Sequence, residues 1–313
     1  MLSAETAALA TQFMEYVIIH NKSYITSEEF AARKDLWKKT DDFIKEHNSS
    51  HIGGKFRVGH NQFSDWTDHE RSSMLGYIAP EEETEPVWLE PTNADSVDWV
   101  TAGAVTPVKD QGQCGSCWTF SSTGALEGAH QIKTGELLSF SEQQIVDCAN
   151  LRHGYMSFGC NGGNQSVAFK YLEKHMAELE SVYGYTAKNG TCAYNKDSAT
   201  AVDVSTYATV TKDNVEQMKA AVAKQPVSVS IEADKMVFQH YTSGVFDSSE
   251  CGTKLDHAVL VAGYGTDSAG TPYWILKNSW GTTWGEKGYM QVQIVDGEGI
   301  CGIQMGPLYP TSN

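Results

Sequence analysis

The chain has 313 residues, 41% of them hydrophobic, and a formal net charge of −16 at pH 7. This length predicts more than one packed unit. The acidic balance argues against nucleic acid and anionic membranes as partners, because both attract basic surfaces. Residues 1–92 carry 9 basic and 16 acidic residues, and the remaining residues are acidic too. Contacts between these two parts are therefore expected to be mostly apolar.

The expected location follows from two features. No apolar run reaches the roughly 20 residues that span a bilayer, and the first ten residues lack the basic and apolar regions of a signal peptide. The seven cysteines nevertheless indicate an oxidising compartment, because six can pair and leave one free thiol. We expect a lysosome-like or vacuole-like acidic compartment or secretion, with a signal peptide that this sequence lacks.

The residue pattern of 1–92 predicts two amphipathic helices followed by an extended linker. Apolar residues recur at helical spacing between Glu5 and His20. A second helix is predicted from the cap-like Thr26 to about Asn48, with an apolar side made of Phe30, Leu36, Trp37, Phe43 and Ile44. The acidic, proline-flanked stretch at 81–86 predicts an exposed linker suited to proteolysis. Periodicity alone fits equally well the N-terminal domain of an ordinary protein.

The run QGQCGSCW, residues 111–118, precedes a helix-like stretch, so Cys117 is predicted to open a helix. A thiol there lies near the positive end of the helix dipole, which favours the thiolate. Gln111 offers a side-chain amide beside the backbone N–H of Cys117, and two converging donors suit an oxyanion. A metal half-site or a redox pair is the alternative interpretation. No second CxxC or HxxxH pair completes a zinc shell, so neither metal nor cofactor is expected.

After residue 118 the pattern changes once. Helix-like stretches continue to about residue 203, whereas short runs rich in Val and Ile with glycine-containing joints follow from Pro226. Such runs are typical of strands. A helical part followed by a sheet part places an interdomain cleft between them, where binding sites commonly lie.

Two groups of motifs identify a family. CGSCW is followed by His257, 140 residues after Cys117, and by Asn278 in KNSWGTTWG. This combination matches the signature of papain and the cathepsins, and the chain closely resembles a papain-family cysteine protease of the cathepsin L type. The N-terminal part is similar to the inhibitory prosegments of that family. It carries GHNQFSD at 59–65 and an interspersed pattern in which Thr40 replaces the usual Asn, the matching residues being Glu29, Arg33, Trp37, Ile44 and Asn48.

The resemblance implies an α+β, papain-like two-domain fold preceded by a small helical prodomain. The expected boundaries are 1–92 for the prosegment and 93–313 for the peptidase. Within the peptidase, about 103–203 would form a helical left domain, and about 204–313 with 93–102 a right domain built as an antiparallel β-barrel. The segment from about Met74 to Pro91 would pass through the cleft in the direction opposite to a substrate. The mature chain would begin near Asn93.

The same resemblance implies the chemistry. Cys117 would act as the nucleophile and His257 as its base and later acid, with each charge favouring the other. Asn278 would orient the imidazole, Trp280 would keep water from that hydrogen bond, and Gln111 would help to bind the oxyanion. The expected protein is the zymogen of an endopeptidase that opens at low pH, when carboxylates of the prosegment such as Asp65 become protonated.

The resemblance also assigns a substrate site and three disulfides. The site residues are Gly162, Gly163, Asn164, Gln165, Val229, Leu255, Asp256, Trp284 and Gly306. Gly306 at the base of the pocket implies a preference for a large apolar residue at the second position before the scissile bond. The implied disulfides are Cys114–Cys160, Cys148–Cys192 and Cys251–Cys301. Val100 stands where the family has Arg, so Glu127 is expected to lack a partner.

The expected partners are protein and peptide substrates and the chain's own prosegment, in a monomer without nucleic acid or membrane. Two other functions stay open. One is a catalytically silent homologue that inhibits proteases or binds proteins, and the other is a thiol-dependent peptide ligase on the same fold. Intact Cys117, His257, Asn278 and Gln111 favour a peptidase over a silent homologue.

Overall fold

A computed structural model describes residues 4–81 and 84–312, so the centre of the linker at 81–86 lies outside the described residues. Within those ranges, no helix is long and apolar enough to cross a membrane. The helices are α1 Ala4–Ile19, α2 Ser27–Ser50, α3 Asp68–Ser72, α4 Cys117–Thr134, α5 Glu142–Cys148, α6 Gln165–Leu172, α7 Val215–Val222 and α8 Met236–Gln239. The strands are β1 Phe56–Val58, β2 Val97–Asp98, β3 Val204–Thr209, β4 Val227–Ile231, β5 Tyr241–Phe246, β6 His257–Thr266, β7 Pro272–Lys277, β8 Tyr289–Gln293 and β9 Leu308–Ser312.

The strands form one sheet in the order β1-β5-β8-β7-β6-β4-β9-β3, with β2 pairing to β6 off this path. The pairs are antiparallel except for β5 and β8, which run parallel. Nine of the ten residues of β6 are buried. A strand covered on both faces reads as a continuous apolar run, which explains the sequence HAVLVAGYG. The first residue of β6 is His257, so this central strand fixes the position of the imidazole.

The second large core surrounds α4. Fourteen consecutive residues of α4, from Cys117 to His130, are buried. A helix enclosed on all sides belongs to the interior of a large protein. Its apolar neighbours include Phe140, which precedes α5, and Phe169 and Leu172 of α6. Because α4 also packs against β6, it joins the helical part of the chain to the sheet.

The N-terminal helices form a third, aromatic core. Phe13 and Tyr16 of α1 pack with Trp37 of α2, and all three are buried. Thr26 caps α2 by accepting a hydrogen bond from the backbone N–H of Glu29 at 3.1 Å. These helices agree with the predicted periodicity.

The structure adds a strand that the periodicity of the prosegment does not indicate. In β1, Phe56 and Arg57 pair antiparallel with Gly244 and Ser243 of β5, so the N-terminal part of the chain extends the sheet formed by the later strands. A side chain at Gly244 would lie 2.1 Å from the Lys55 carbonyl oxygen, and its φ is +87°, so this pairing requires glycine. A three-residue strand is too short to show an alternating pattern.

Candidate active site

Cys117 is the first residue of α4 and the only free cysteine of the seven. Its side chain is fully buried, and the backbone amides of Ala258, Gly76 and Trp118 around the thiol favour its ionised form. Ala258 directly follows His257 in β6, so the sulfur lies at the start of the strand that carries the imidazole. The predicted helix start is therefore observed. The cleft lies between the start of α4, which carries Cys117, and the start of β6, which carries His257.

His257 is held by Asn278 and Trp280. Its Nε2 lies 2.8 Å from Oδ1 of Asn278. Because an amide oxygen only accepts, Nε2–H is the donor and Nδ1 keeps its lone pair. Nδ1 has no hydrogen-bond partner among the described residues. The ring of Trp280 stacks on the imidazole at 4.7 Å. Trp280 is fully buried and covers the imidazole.

Gln111 is fixed at both ends of its side chain. Its Oε1 accepts a hydrogen bond from Oγ of Ser279 at 2.7 Å. Its Nε2 donates to the carbonyl oxygens of Met74 and Cys114, at 2.8 and 2.7 Å. The amide proposed to bind an oxyanion is thus occupied by a carbonyl group of the prosegment. Sequence reasoning missed the role of Ser279, although its place directly after Asn278 could have indicated it.

The prosegment crosses the cleft as an extended segment beside Gly163. The N–H of Gly163 donates to the Gly76 carbonyl at 2.9 Å, and Ile78 N–H donates to the Gly163 carbonyl at 2.8 Å. Tyr77 N–H donates to the Asp256 carbonyl at 3.0 Å, and Tyr77 pairs with Gly163 in parallel. These contacts use backbone atoms only. Gly163 and Asp256, predicted to bind a peptide main chain, bind the main chain of the prosegment here.

Gly76 approaches the cleft too closely for any side chain. A Cβ atom at this position would lie 1.9 Å from the Gly115 carbonyl oxygen. Gly162, another predicted site residue, lies against the same segment, since its own Cβ would meet the Gly76 carbonyl at 2.9 Å. The blocking segment therefore fits only with glycine facing the nucleophile.

Burial by this segment changes the ionisation that the sequence predicts. Desolvation raises the pKa of the Cys117 thiol to about 11, although three backbone amides act in the opposite direction. Desolvation also lowers the pKa of His257 to about 4, against the hydrogen bond to Asn278. Both groups are neutral between these values. Covering the cleft therefore opposes the predicted thiolate–imidazolium pair in the closed form, because burial disfavours both charges.

A cavity of about 510 Å³ lies beside the cleft, beneath the prosegment. Four predicted pocket residues line it, namely Asn164, Gln165, Leu255 and Gly306. The prosegment supplies another wall through Tyr77, Ala79, Pro80, Thr84 and Pro86.

Two predicted pocket residues are placed differently. Val229 is not among the residues that line this cavity, and it is buried in β4 opposite Val259. Its carbonyl oxygen accepts from Nε2 of Gln165 at 3.1 Å, so it supports the pocket from behind. Trp284 packs edge-on to Trp280 at 5.4 Å, away from the cavity. The prediction that Val229 forms a wall of the pocket is corrected, because Val229 lies in the layer behind the wall. Trp284 does not line this cavity either, and its role in substrate binding stays a prediction.

Glu127 does not lack a partner, contrary to the expectation from Val100. Lys109 lies 3.2 Å from one carboxylate oxygen of Glu127, and Thr106 donates a hydrogen bond to the other at 2.7 Å. Lys109 also contacts Glu142 at 2.7 Å. Lys109 therefore supplies the positive charge that an arginine at position 100 would supply. Because Lys109 lies outside the motif around Val100, the motif alone gave the wrong expectation for Glu127.

The six other cysteines form three disulfides. The Cα atoms of the pairs lie 4.6, 4.8 and 4.9 Å apart, the ordinary range for disulfides. The pairs are Cys114–Cys160, Cys148–Cys192 and Cys251–Cys301. The first of them ties the loop before Cys117 to the loop that carries Gly163. No cluster of possible metal ligands is found in the described part of the chain.

A cysteine at a helix start, an imidazole held by an amide, and an amide donor beside them define a thiol hydrolase. Comparisons with known proteins narrow this class. Residues 93–311 match the model of the papain family cysteine protease. Residues 13–70 match that of the cathepsin propeptide inhibitor domain.

Individual proteins agree with these matches. The chain is 41% identical over 313 residues to the senescence-specific cysteine protease SAG12 of Arabidopsis thaliana, covering 95% of this chain and 89% of the relative. Among solved structures it is similar to a recombinant stem bromelain precursor, with a TM-score of 0.87 and 36% identity over 97% of this chain and 99% of the other. A digestive procathepsin L 3 of Tenebrio molitor also superimposes with a TM-score of 0.87 and 36% identity, covering 96% and 98% of the two chains.

The chain belongs to the papain family of cysteine proteases and carries the inhibitory propeptide of the cathepsin type. It is a cysteine endopeptidase in its zymogen form. The α+β fold, with a helical region ahead of a papain-like body, is confirmed by the bromelain and procathepsin structures. Nothing in these comparisons favours the silent inhibitor or the ligase.

Proposed function

We propose that Cys117 attacks the peptide carbonyl once the prosegment has left the cleft. Nδ1 of His257 takes the proton of the thiol, and the new C–S bond forms as the carbonyl becomes an oxyanion, which Gln111 and the Cys117 N–H stabilise by hydrogen bonds. His257 then gives its proton to the leaving amine as the C–N bond breaks. Water, deprotonated by His257, hydrolyses the thioester and restores the thiol.

The observation that carries this proposal is the capture of the Met74 carbonyl by Nε2 of Gln111 at 2.8 Å, beside the buried Cys117. A prosegment carbonyl lies where a substrate carbonyl would be polarised. The hydrogen bond from His257 to Asn278 supports the role of Asn278 in orientation, because it leaves Nδ1 free to accept a proton.

The assignment is tested by three substitutions in the acid-processed enzyme. Cys117→Ala should abolish turnover. Gln111→Ala should lower kcat by about a hundredfold or more, which is the usual effect of removing one oxyanion donor. Gln143→Ala is the matched control, since Gln143 is equally buried but bonds Asp147 and the Lys188 carbonyl. If Gln111→Ala retained the wild-type kcat, the proposed oxyanion site would be wrong.

We propose a preference for a large apolar residue at the second position before the scissile bond. The polar atoms of Asn164 and Gln165 are directed into the protein. Asn164 caps α6 by accepting from Val167 N–H, and Gln165 donates to the Val229 carbonyl. Gly306 leaves open space above itself.

Profiling the processed enzyme on a peptide library tests this preference. Leu and Phe should exceed Asp and Lys at that position. Gly306→Glu should shift the profile toward basic residues, because it adds a carboxylate to the pocket. A library without selection at this position would contradict the proposal.

We propose that the prosegment is residues 1–92 and that the peptidase is residues 93–313. The peptidase acts as a monomer, and its helical and sheet halves meet near residue 203. Val97 and Asp98 pair with Tyr264 and Gly263 of β6, which supports including 93–102 with the sheet half. The three disulfides support an oxidising compartment such as a lysosome or vacuole, or secretion. Proteins and peptides are the proposed substrates. Light scattering and the N-terminal sequence of the processed chain test the monomer and the boundary.

A further inference from the structure

Leu89 is bound to the enzyme far along the chain from the catalytic cleft. Its side chain is buried and belongs to the main core of the sheet. Its N–H donates to Oε1 of Gln217 at 2.8 Å, and its carbonyl accepts from Nε2 of the same side chain at 2.8 Å. One amide side chain thus satisfies both backbone groups of one residue, as a neighbouring strand would. Thirteen positions separate Leu89 from Gly76, which faces Cys117.

Gln217 is buried and held in a fixed position by the enzyme. It lies on α7, where its backbone N–H is capped by Asn214 at 3.0 Å, and it is 1% exposed. Both side-chain hydrogen bonds given above go to Leu89. A buried amide without partners is unfavourable, so the site needs a peptide group against it.

The residues before Leu89 lie along the enzyme in an extended conformation. Val87 N–H donates to the Thr209 carbonyl at 2.9 Å, and Val87 pairs in parallel with Val210. Trp88 between them is 70% exposed, whereas Leu89 is buried. Val87 is itself 37% exposed, so Leu89 alone of these three residues has a buried side chain. The contact is that of a segment added to the edge of a sheet, in which main-chain bonds give affinity and a side-chain pocket gives specificity.

We propose that Gln217, Thr209 and Val210 form a second peptide-binding site beside the substrate cavity, of whose wall Thr209 and Val210 are part. It binds an extended segment with leucine, or another branched aliphatic residue, at the position bonded by Gln217. Its occupant is the Val87–Leu89 segment of this chain. The site remains on the processed enzyme and binds the same segment after cleavage.

This site has a role distinct from that of the cleft. It holds the C-terminal end of the prosegment close to the expected mature start at Asn93, so release of the cleft and release of this end are separate events. The proposal does not rest on the peptidase assignment, because none of its three residues contacts Cys117, His257 or Gln111 in the interactions described above.

Hydrogen exchange tests the site in the intact zymogen. The full chain carrying Cys117→Ala is compared with the same chain carrying Gln217→Met, which keeps the length of the side chain and removes both hydrogen bonds. The amide of Leu89 should exchange at least tenfold faster, while that of Ile78 in the cleft stays protected. Gln225→Met is the matched control, because Gln225 is buried near the end of α7 and bonds the Pro310 carbonyl instead. Unchanged exchange at Leu89, or equal acceleration at Ile78, would overturn the proposal.

A second measurement tests binding after processing. A fluorescent peptide with the sequence of residues 84–92 is added to enzyme trimmed to Asn93, with Cys117 alkylated to close the cleft chemically. Saturable binding is expected, and it should be lost with the Leu89→Asn peptide and with the Gln217→Met enzyme. No saturable binding, or binding that is equal in the Gln217→Met enzyme, would overturn the claim that the site persists. Either result leaves the assignment of Cys117 untouched.

Discussion

In the cleft the prosegment is held through its own backbone atoms, whereas beside the cleft it is held largely by its side chains. Gly76 and Ile78 pair with Gly163 through N–H and C=O groups alone. On the neighbouring surface, Phe63 packs edge-on to Trp280 at 5.5 Å, and Phe56 lies 4.7 Å from Phe246. The contact in the cleft covers the nucleophile, and the contact on the neighbouring surface packs aromatic rings of the prosegment against aromatic rings of the enzyme.

The difference shows how a zymogen separates blocking from affinity. Backbone hydrogen bonds exchange with water and contribute little net free energy, while buried aromatic rings contribute several kcal/mol. Both parts of the chain are acidic, so an apolar docking surface avoids their mutual repulsion. Hydrogen bonds set its register. Asn61 donates to the Gln239 carbonyl at 2.7 Å, and Gln62 donates to the Trp280 carbonyl at 2.6 Å.

The largest effect is expected from breaking the aromatic contact. Phe63→Ala removes a buried ring from the face of Trp280, which costs about 3–5 kcal/mol in comparable cores. Residual peptidase activity of the zymogen at neutral pH should rise at least about a hundredfold. Ile52→Ala is the control, since Ile52 is 85% exposed on the same prosegment. Equal activity in the two variants would show that the aromatic contact does not hold the prosegment.

A smaller effect is expected from breaking the cleft contact. Gly76→Ala forces a methyl group into the Gly115 carbonyl and breaks about three backbone hydrogen bonds, each worth about 1 kcal/mol. Neutral-pH activity should rise about tenfold to a hundredfold. The prosegment should nevertheless stay docked, with hydrogen exchange near Phe63 unchanged. If that exchange also accelerated, the two contacts would not be separable.

We expect the acid sensitivity of the docking surface to come from a histidine that sequence reasoning overlooked. His240 is fully buried against the prosegment, close to Phe43 and bonded through its carbonyl to Gly59 N–H. Neither ring nitrogen has a hydrogen-bond partner among the described residues. Burial lowers the pKa of His240 to about 3, assisted by the charges of Arg71 and His60. The carboxylate of Asp65, which the sequence analysis named, accepts hydrogen bonds from Tyr16, Tyr24 and Lys22.

The sign of the pH dependence follows from that lowered pKa. Once the prosegment has left, the pKa of His240 returns to its ordinary value near 6.5. His240 then binds a proton that it does not bind in the docked form. Docking is therefore fully stable above about pH 6.5 and weakens by up to about tenfold per pH unit below it, until the docked form itself protonates near pH 3.

His240→Phe tests this linkage with the smallest expected effect. The pH at which half of the zymogen is processed should move down by about half a unit to one unit, because one proton-linked step is lost. His153→Phe is the control, since His153 is exposed on the helical half. An unchanged midpoint would assign acid opening to other groups.

Local signals explain which features the sequence predicts. The cap at Thr26, the start of α4 at Cys117 and the buried strand at His257 are each set by neighbours within a few residues. The partners of Glu127, the strand β1 and the contact of Leu89 with Gln217 are not, because their partners lie 18 to 188 residues away. Such pairs depend on the packed fold, which periodicity does not describe.

The alkylation rate of Cys117 as a function of pH tests the central claim most directly. In the zymogen, where burial raises the thiol pKa to about 11, a small alkylating reagent should label Cys117 very slowly at every pH below about 9. After processing, labelling should be fast at pH 5 to 7, because the exposed thiol can ionise against His257. Equal rates and equal pH profiles in the two forms would contradict the claim that the prosegment keeps the nucleophile neutral by covering it.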